Sequence, residues 1–429
     1  MKSLTRLAAT ASIAILALSI LHIPQARSAE LLPKTDPASV GFSAERLNRI
    51  GARLKADSEA GTIPGAVLLV AREGKIAYFE AFGVQDPQTK AKMSRDSIFR
   101  IYSMTKPIVT AAAMMQVEEG RYHVSDPVAK FIPAFGKVQV GVEKPPAEAG
   151  GKPTLELVAP RRAMSVQDLM RHSSGITYGF FGVGAVKAMY GGVLDGDPDN
   201  AEFAERIAKL PLAYQPGTVW DYSHSTDILG RVVEVVDKKS LYNSLSDRLL
   251  KPLGMKDTAF YVTDAAKQAR VAEPFPDDRS LGGGVEFFDP RKAGKFEGGG
   301  GGLTGTAMDY ASFLQMLLDG GTQNGKRYLS PKILAYMTAD HMGTGVTPGP
   351  YYLPGPGYGF GLGFGVRTAA GVSADPGSVG DYYWGGAGGT YFWVDPKEKM
   401  FVVFMMQSPK QRLTYRAAMR DMVYAAMTK

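Results

Sequence analysis

The chain has 429 residues, 45% of them hydrophobic and 21% charged, a balance that supports a substantial buried core. It contains no cysteine, which excludes disulfides, thiolate metal sites and a cysteine nucleophile. The formal net charge is +7, but the basic residues are scattered and not clustered, so nothing points to a nucleic-acid partner.

The first predicted element is an export signal. Lys2 and Arg6 precede an apolar run over residues 7–21, and the small residues Ala26, Ser28 and Ala29 follow. The run is short for a bilayer span, which takes about 20 residues, and Pro24 breaks it. The expectation is a signal peptide over 1–29 and a periplasmic or secreted product, residues 30–429, with no stable membrane insertion.

Residues 43–59 combine a Ser43 N-cap with Leu47, Ile50 and Leu54 at helical spacing, and end near Gly61. Two β-rich runs flank Arg72-Glu73-Gly74-Lys75, a hairpin signature. Residues 108–119 form an apolar helix that closes at Gly120. Further helices are expected over 164–171, with Ser165 at its start and Asp168 in its first turn, and over 227–236 and 308–318. Strands at 391–394 and 400–406 and a helix at 414–427 finish the chain. The Pro- and Gly-rich connections 138–160, 282–302 and 343–359 exceed ordinary loop lengths, so they read as functional rims or as disordered. The order of strands, helices and strands predicts an α+β fold, its antiparallel sheet drawn from about 30–120 and 300–429. A mostly helical region, about 121–299, is inserted between.

Three places can carry chemistry. Ser103 and Lys106 stand one helical turn apart, so a hydroxyl and an amine share a face near a helix start. A serine becomes a useful nucleophile when a base takes its proton, and a buried lysine can be that base. Ser-x-x-Lys alone is weak, since chance supplies about one in such a chain. Tyr222, in Trp-Asp-Tyr-Ser-His, follows a Pro-Gly turn and precedes a helix. It is either a proton carrier facing the lysine or a packed aromatic. Trp384-Gly385-Gly386-Ala387-Gly388-Gly389 runs into a strand, where glycine lets a substrate or another backbone approach closely. A backbone N–H there and that of Ser103 could form an oxyanion hole.

The order of these three, with MSVQDLMRHSSGI, LLKPLGMKDTAF and GGGGGLTGTAMDYASFLQMLLDGG between them, resembles the serine β-lactamases and penicillin-binding proteins. It is similar above all to the class C group and the family VIII carboxylesterases, over about residues 40–427. The resemblance implies a β-lactamase/transpeptidase-like fold and a cofactor-free acyl-enzyme mechanism on a small-molecule ester or lactam. Ser103 would be acylated, with Lys106 its base and Tyr222 the second proton-transfer residue. The N–H groups of Ser103 and Ala387 would hold the oxyanion, and Trp384, Gly385, Gly386 and His224 would border the substrate.

Two departures matter. Trp384 replaces the lysine of the usual Lys-Thr-Gly, removing a partner for a substrate carboxylate. His224 replaces the asparagine that ends the second motif, and it reads as a wall or structural group and not as a base. Both changes favour uncharged esters over lactams. A β-lactamase or D,D-peptidase is the alternative, and a catalytically silent binding protein is the third reading. Tyr351, Tyr352, Tyr358 and Phe360 are either aromatic walls or packing. There is no Gly-x-Ser-x-Gly elbow, no His-x-His or His-Glu-x-x-His spacing for zinc, and no Lys-Ser/Thr after the five glycines 298–302 to make a phosphate loop.

Overall fold

The Glu73-Gly74 hairpin forms where the sequence places it. It joins β1 (Gly65–Arg72) to β2 (Lys75–Asp86), with Glu73 and Gly74 at φ 53° and 72°. Two successive positive φ values make a type I′ turn, whose twist matches that of the strands it joins. The computed structural model describes residues 32–145, 154–282 and 284–429. The expected export signal lies outside them.

After β3 (Ala91–Lys92), the remaining sheet strands come from the far end of the chain. They are β4 (Tyr358–Phe360), β5 (Gly365–Arg367), β6 (Tyr382–Gly385), β7 (Tyr391–Asp395) and β8 (Met400–Met406). The order is β4-β5-β6-β7-β8-β1-β2-β3, antiparallel throughout. The central join is β1 on β8, from Ala66 opposite Met406 to Arg72 opposite Met400. An antiparallel sheet built from both chain ends is therefore what forms. Among the described residues, nothing between 121 and 299 adds a strand to it.

Strand alternation sends side chains to two cores. One face packs Leu68, Val70, Trp393, Val402 and Phe404 under α1 (Ala44–Glu59) and the C-terminal helix Arg412–Ala425. The other packs Val67, Leu69, Phe392, Val403 and Met405 against the helical side of the molecule. Burial on both faces is why β1 reads as an unbroken apolar run and not an alternating one.

On that second side lie α2 (Thr105–Glu118), α3 (Val166–Met170), α4 (Ser225–Asp237) and α5 (Ala307–Leu318); the C-terminal helix on the first face is α6. Ser165 caps α3 in a reciprocal box with Asp168. α5 packs on β8 and β1, and α2 on α4. α2 begins one turn earlier than its apolar pattern predicts, and includes Lys106 and Pro107. Proline is tolerated there because a first-turn N–H has no helical acceptor to lose. The extra turn puts Lys106 inside the helix, wholly buried. The described parts of two long connections hold structure: Val140–Lys144 pairs antiparallel with Thr154–Val158, and Thr347–Pro348 runs parallel to Val219–Trp220.

Candidate active site

Ser103 sits on a bend whose shape is imposed by its neighbours. Phe99–Arg100 pairs with Thr304–Gly305, then Tyr102 turns the chain at φ 45° into a single 3₁₀ turn that feeds α2. A bulky residue in the left-handed region is strained and needs outside support. Phe287 and Phe288 give it, edge-on to the Tyr102 ring at 5.4 and 5.8 Å. The bend leaves Ser103 half-exposed above the buried start of α2.

Lys106 reaches Ser103 as the one-turn spacing predicts. Its Nζ lies 3.3 Å from Ser103 Oγ, 3.2 Å from Tyr178 OH and 2.6 Å from the Gly300 carbonyl. Three partners match the three N–H groups of an ammonium. None of the three is a carboxylate. Tyr222 is also here, but differently. Lys106 Nζ stands 4.4 Å over the centroid of its ring, while its hydroxyl accepts a 3.2 Å bond from Trp384 Nε1.

Tyr178 is the residue sequence reasoning missed. It lies in an aperiodic loop, Gly-Ile-Thr-Tyr-Gly-Phe-Phe, whose only signal is an aromatic bracketed by glycines. Those glycines carry the loop inward: Gly175 has φ 85°, and a Cβ on Gly179 would lie 2.7 Å from the Tyr190–Gly191 backbone. Burial pushes the Tyr178 hydroxyl well above its ordinary value, with Asp227 and Tyr222 adding to the effect, so it is neutral.

His224 is a brace. Its Nδ1 is 2.9 Å from Asp227 Oδ2, and its ring stands edge-on to Tyr178 at 4.3 Å. The other Asp227 oxygen accepts the Gly300 N–H at 2.7 Å. One buried carboxylate thus fixes both His224 and the glycine whose carbonyl holds Lys106. The five-glycine run is therefore neither a rim nor disordered. A Cβ on Gly299 would lie 2.6 Å from the Thr226 carbonyl, and one on Gly300 2.7 Å from Asp227 Oδ2. Close approach of backbone to α4 is what requires glycine there. His172, behind Tyr222 at a ring distance of 4.8 Å, is held well below its ordinary value by burial first and by Lys106 second.

The third motif closes the site from the sheet. β6 ends at Gly385, and the following turn lies against the Ser103 bend, since a Cβ on Gly386 would strike Thr390 Oγ1 and the Ile101 carbonyl. Thr390 Oγ1 donates to that carbonyl at 3.2 Å. Among the described residues, the N–H groups of Ser103 and Ala387 have no acceptor. Gly385 faces away from this turn toward Arg416, whose Cζ would be 2.6 Å from a Cβ there. Trp384 is buried, its indole turned to Tyr222.

Around the mouth the side chains are apolar. Phe180, 41% exposed, tilts against Tyr178 at 4.6 Å, and Phe181 packs between Tyr222 and the exposed Tyr351. Tyr352, Tyr358 and Phe360 are packing: Tyr352 against Trp220, Tyr358 on Asp381, Phe360 against Trp384.

Serine, lysine and tyrosine gathered between a helical insert and a two-ended antiparallel sheet define an active-serine hydrolase of the penicillin-recognising type. Residues 50–424 match the Beta-lactamase family, and the chain belongs to it. It is 34% identical to Protein Rv1367c of Mycobacterium tuberculosis over 355 residues, 81% of this chain and 87% of that protein. It is 28% identical to Esterase EstB of Burkholderia gladioli over 387 residues, 84% and 91% of the two chains. Among solved structures it is similar to EstCE1, a hydrolase with promiscuous acyltransferase activity, with TM-score 0.72, 28% identity and coverage of 88% and 98%.

Proposed function

We propose that the protein is a carboxylesterase that hydrolyses uncharged, apolar esters through an acyl-enzyme on Ser103. The contact that carries this reading is the 3.3 Å approach of the buried Lys106 amine to Ser103 Oγ. Once it has given up a proton, Lys106 keeps two N–H groups for the Gly300 carbonyl and Tyr178, two acceptors that aim its lone pair at the serine proton. As Oγ adds to the ester carbonyl, its proton moves to Lys106, and the new oxyanion takes N–H bonds from Ser103 and Ala387. The tetrahedral adduct then expels the alkoxide, which receives a proton through Tyr222 and Lys106. Water repeats the sequence in reverse roles and frees the acid.

The choice of ester rests on the third motif and the mouth. Trp384 spends its N–H on Tyr222 and offers no charge to a substrate carboxylate. Phe180, Phe181 and Tyr351 continue from the two tyrosines as an apolar wall. The similarity to EstB and EstCE1 supports the same reading. Export through the N-terminal signal, to the periplasm or beyond, is part of the proposal.

The test is hydrolysis of p-nitrophenyl butyrate and of a chromogenic cephalosporin by the protein and by Ser103→Ala. Ester turnover that vanishes in the variant, with little lactam turnover, is the expected result. Efficient lactam turnover would make the protein a β-lactamase. Turnover of neither would favour a silent binding protein.

A further inference from the structure

We infer that Arg416 is a positioning residue for the oxyanion hole, acting through the peptide bond that joins Gly386 to Ala387. The inference rests on the reading of Ser103 and Ala387 given above. Arg416 Nη2 donates to the Gly386 carbonyl at 2.6 Å and to the Thr390 carbonyl at 3.4 Å. The Gly386 carbonyl and the Ala387 N–H belong to one amide. A cationic donor on the oxygen of an amide draws electron density toward it and strengthens the N–H at the other end as a donor. The same bonds fix the plane of that amide, so the N–H is aimed before substrate arrives.

Two observations separate this from an ordinary helix-to-strand tie. No carboxylate among the described residues is bonded to Arg416, so its charge is not neutralised locally. Gly385 exists in a shape that admits it, because any Cβ there would overlap the guanidinium. The Tyr391 ring centroid lies 5.6 Å from the guanidinium carbon. Held on these two carbonyls, Arg416 acts on the transition state through the amide.

Arg416→Met and Arg416→Lys test this, measured per active serine by titration with a fluorophosphonate. Met is expected to lower kcat about ten- to a hundredfold, below the full loss of an oxyanion donor, with KM within about twofold. Affinity for a trifluoromethyl ketone, whose adduct with the serine carries an oxyanion, should fall by the same factor. Lysine keeps the charge and should recover most of both losses. An Arg416→Met protein with unchanged kcat per titrated serine, whatever its melting temperature, overturns the inference and leaves Ser103 in place. Ester turnover that persists in Ser103→Ala removes the reading beneath it, a separate and distinguishable result.

Discussion

The molecule treats its buried and half-buried cations in two ways. In the scaffold they are paired. Arg367 and Arg420 clasp opposite oxygens of the fully buried Asp381 at 2.7 and 3.1 Å, with Tyr358 bonded to the same group. Arg100 pairs with Glu273, and Lys187 with Asp221. At the catalytic seam they are not. Lys106 has a hydroxyl, a phenol and a carbonyl, and Arg416 has two carbonyls. Arg416 and Arg420 stand one turn apart on α6, so the difference is set by what the sheet presents to each and not by the helix. An unpaired buried charge is costly and is a natural place to look for chemistry, whereas a paired one mostly holds elements in register.

The comparison can be broken most forcefully at Lys106. Lys106→Met is expected to reduce kcat/KM by about a thousandfold or more, the scale of a lost general base. Because no ion pair is severed, stability should change by under about 2 kcal/mol, the Gly300 carbonyl losing a donor while a buried charge disappears. Denaturant melts beside initial rates would check both halves.

Asp381→Asn should do the reverse. It leaves two buried arginines without a counter-charge and should cost about 3–5 kcal/mol, with kcat per titrated serine little changed. A variant as stable as the parent would mean that the Arg367–Asp381–Arg420 group is not what holds α6 to the sheet.

Asp309 offers a sharper version, a buried carboxylate with no arginine. Its oxygen accepts the Asp257 N–H and the Thr258 hydroxyl, both at 2.8 Å, yet burial raises its pKa to about 6. The native state thus favours the protonated acid. That contribution is complete below about pH 4 and is lost as pH rises through about 6. Asp309→Asn should therefore raise stability above pH 7, by at most about 3 kcal/mol, and gain much less at pH 4. Melting curves at the two pH values decide it.

The smallest effect should be at Tyr178. Removing one of the two acceptors that aim Lys106, Tyr178→Phe is expected to lower kcat about tenfold, less than Tyr222→Phe, which removes the proposed proton carrier. If the two losses come out in the opposite order, the tyrosines exchange roles, and Tyr178 becomes the proton carrier.

Much of this was legible before folding. The period-3.6 stripe of α1, the hairpin at Glu73-Gly74 and the doubly buried strands β1 and β8 are local consequences of side-chain pattern and turn chemistry. So is the meeting of Ser103 with Lys106, because one helical turn brings i and i+3 together wherever the helix lies. The resemblance that linked Ser103, Lys106, Tyr222 and the Trp384 strand was carried by order along the chain. Only the tertiary structure decided what those side chains face. Tyr178 sits 72 residues from Lys106 in a loop without periodicity, and no local rule brings it there. The Trp384 indole turned to Tyr222, Asp227 under the glycine run and Arg416 behind Gly386 all join segments more than 25 residues apart, except His224 with Asp227. Such contacts depend on how layers stack, and stacking is fixed by the summed burial of the whole chain and not by any stretch of it.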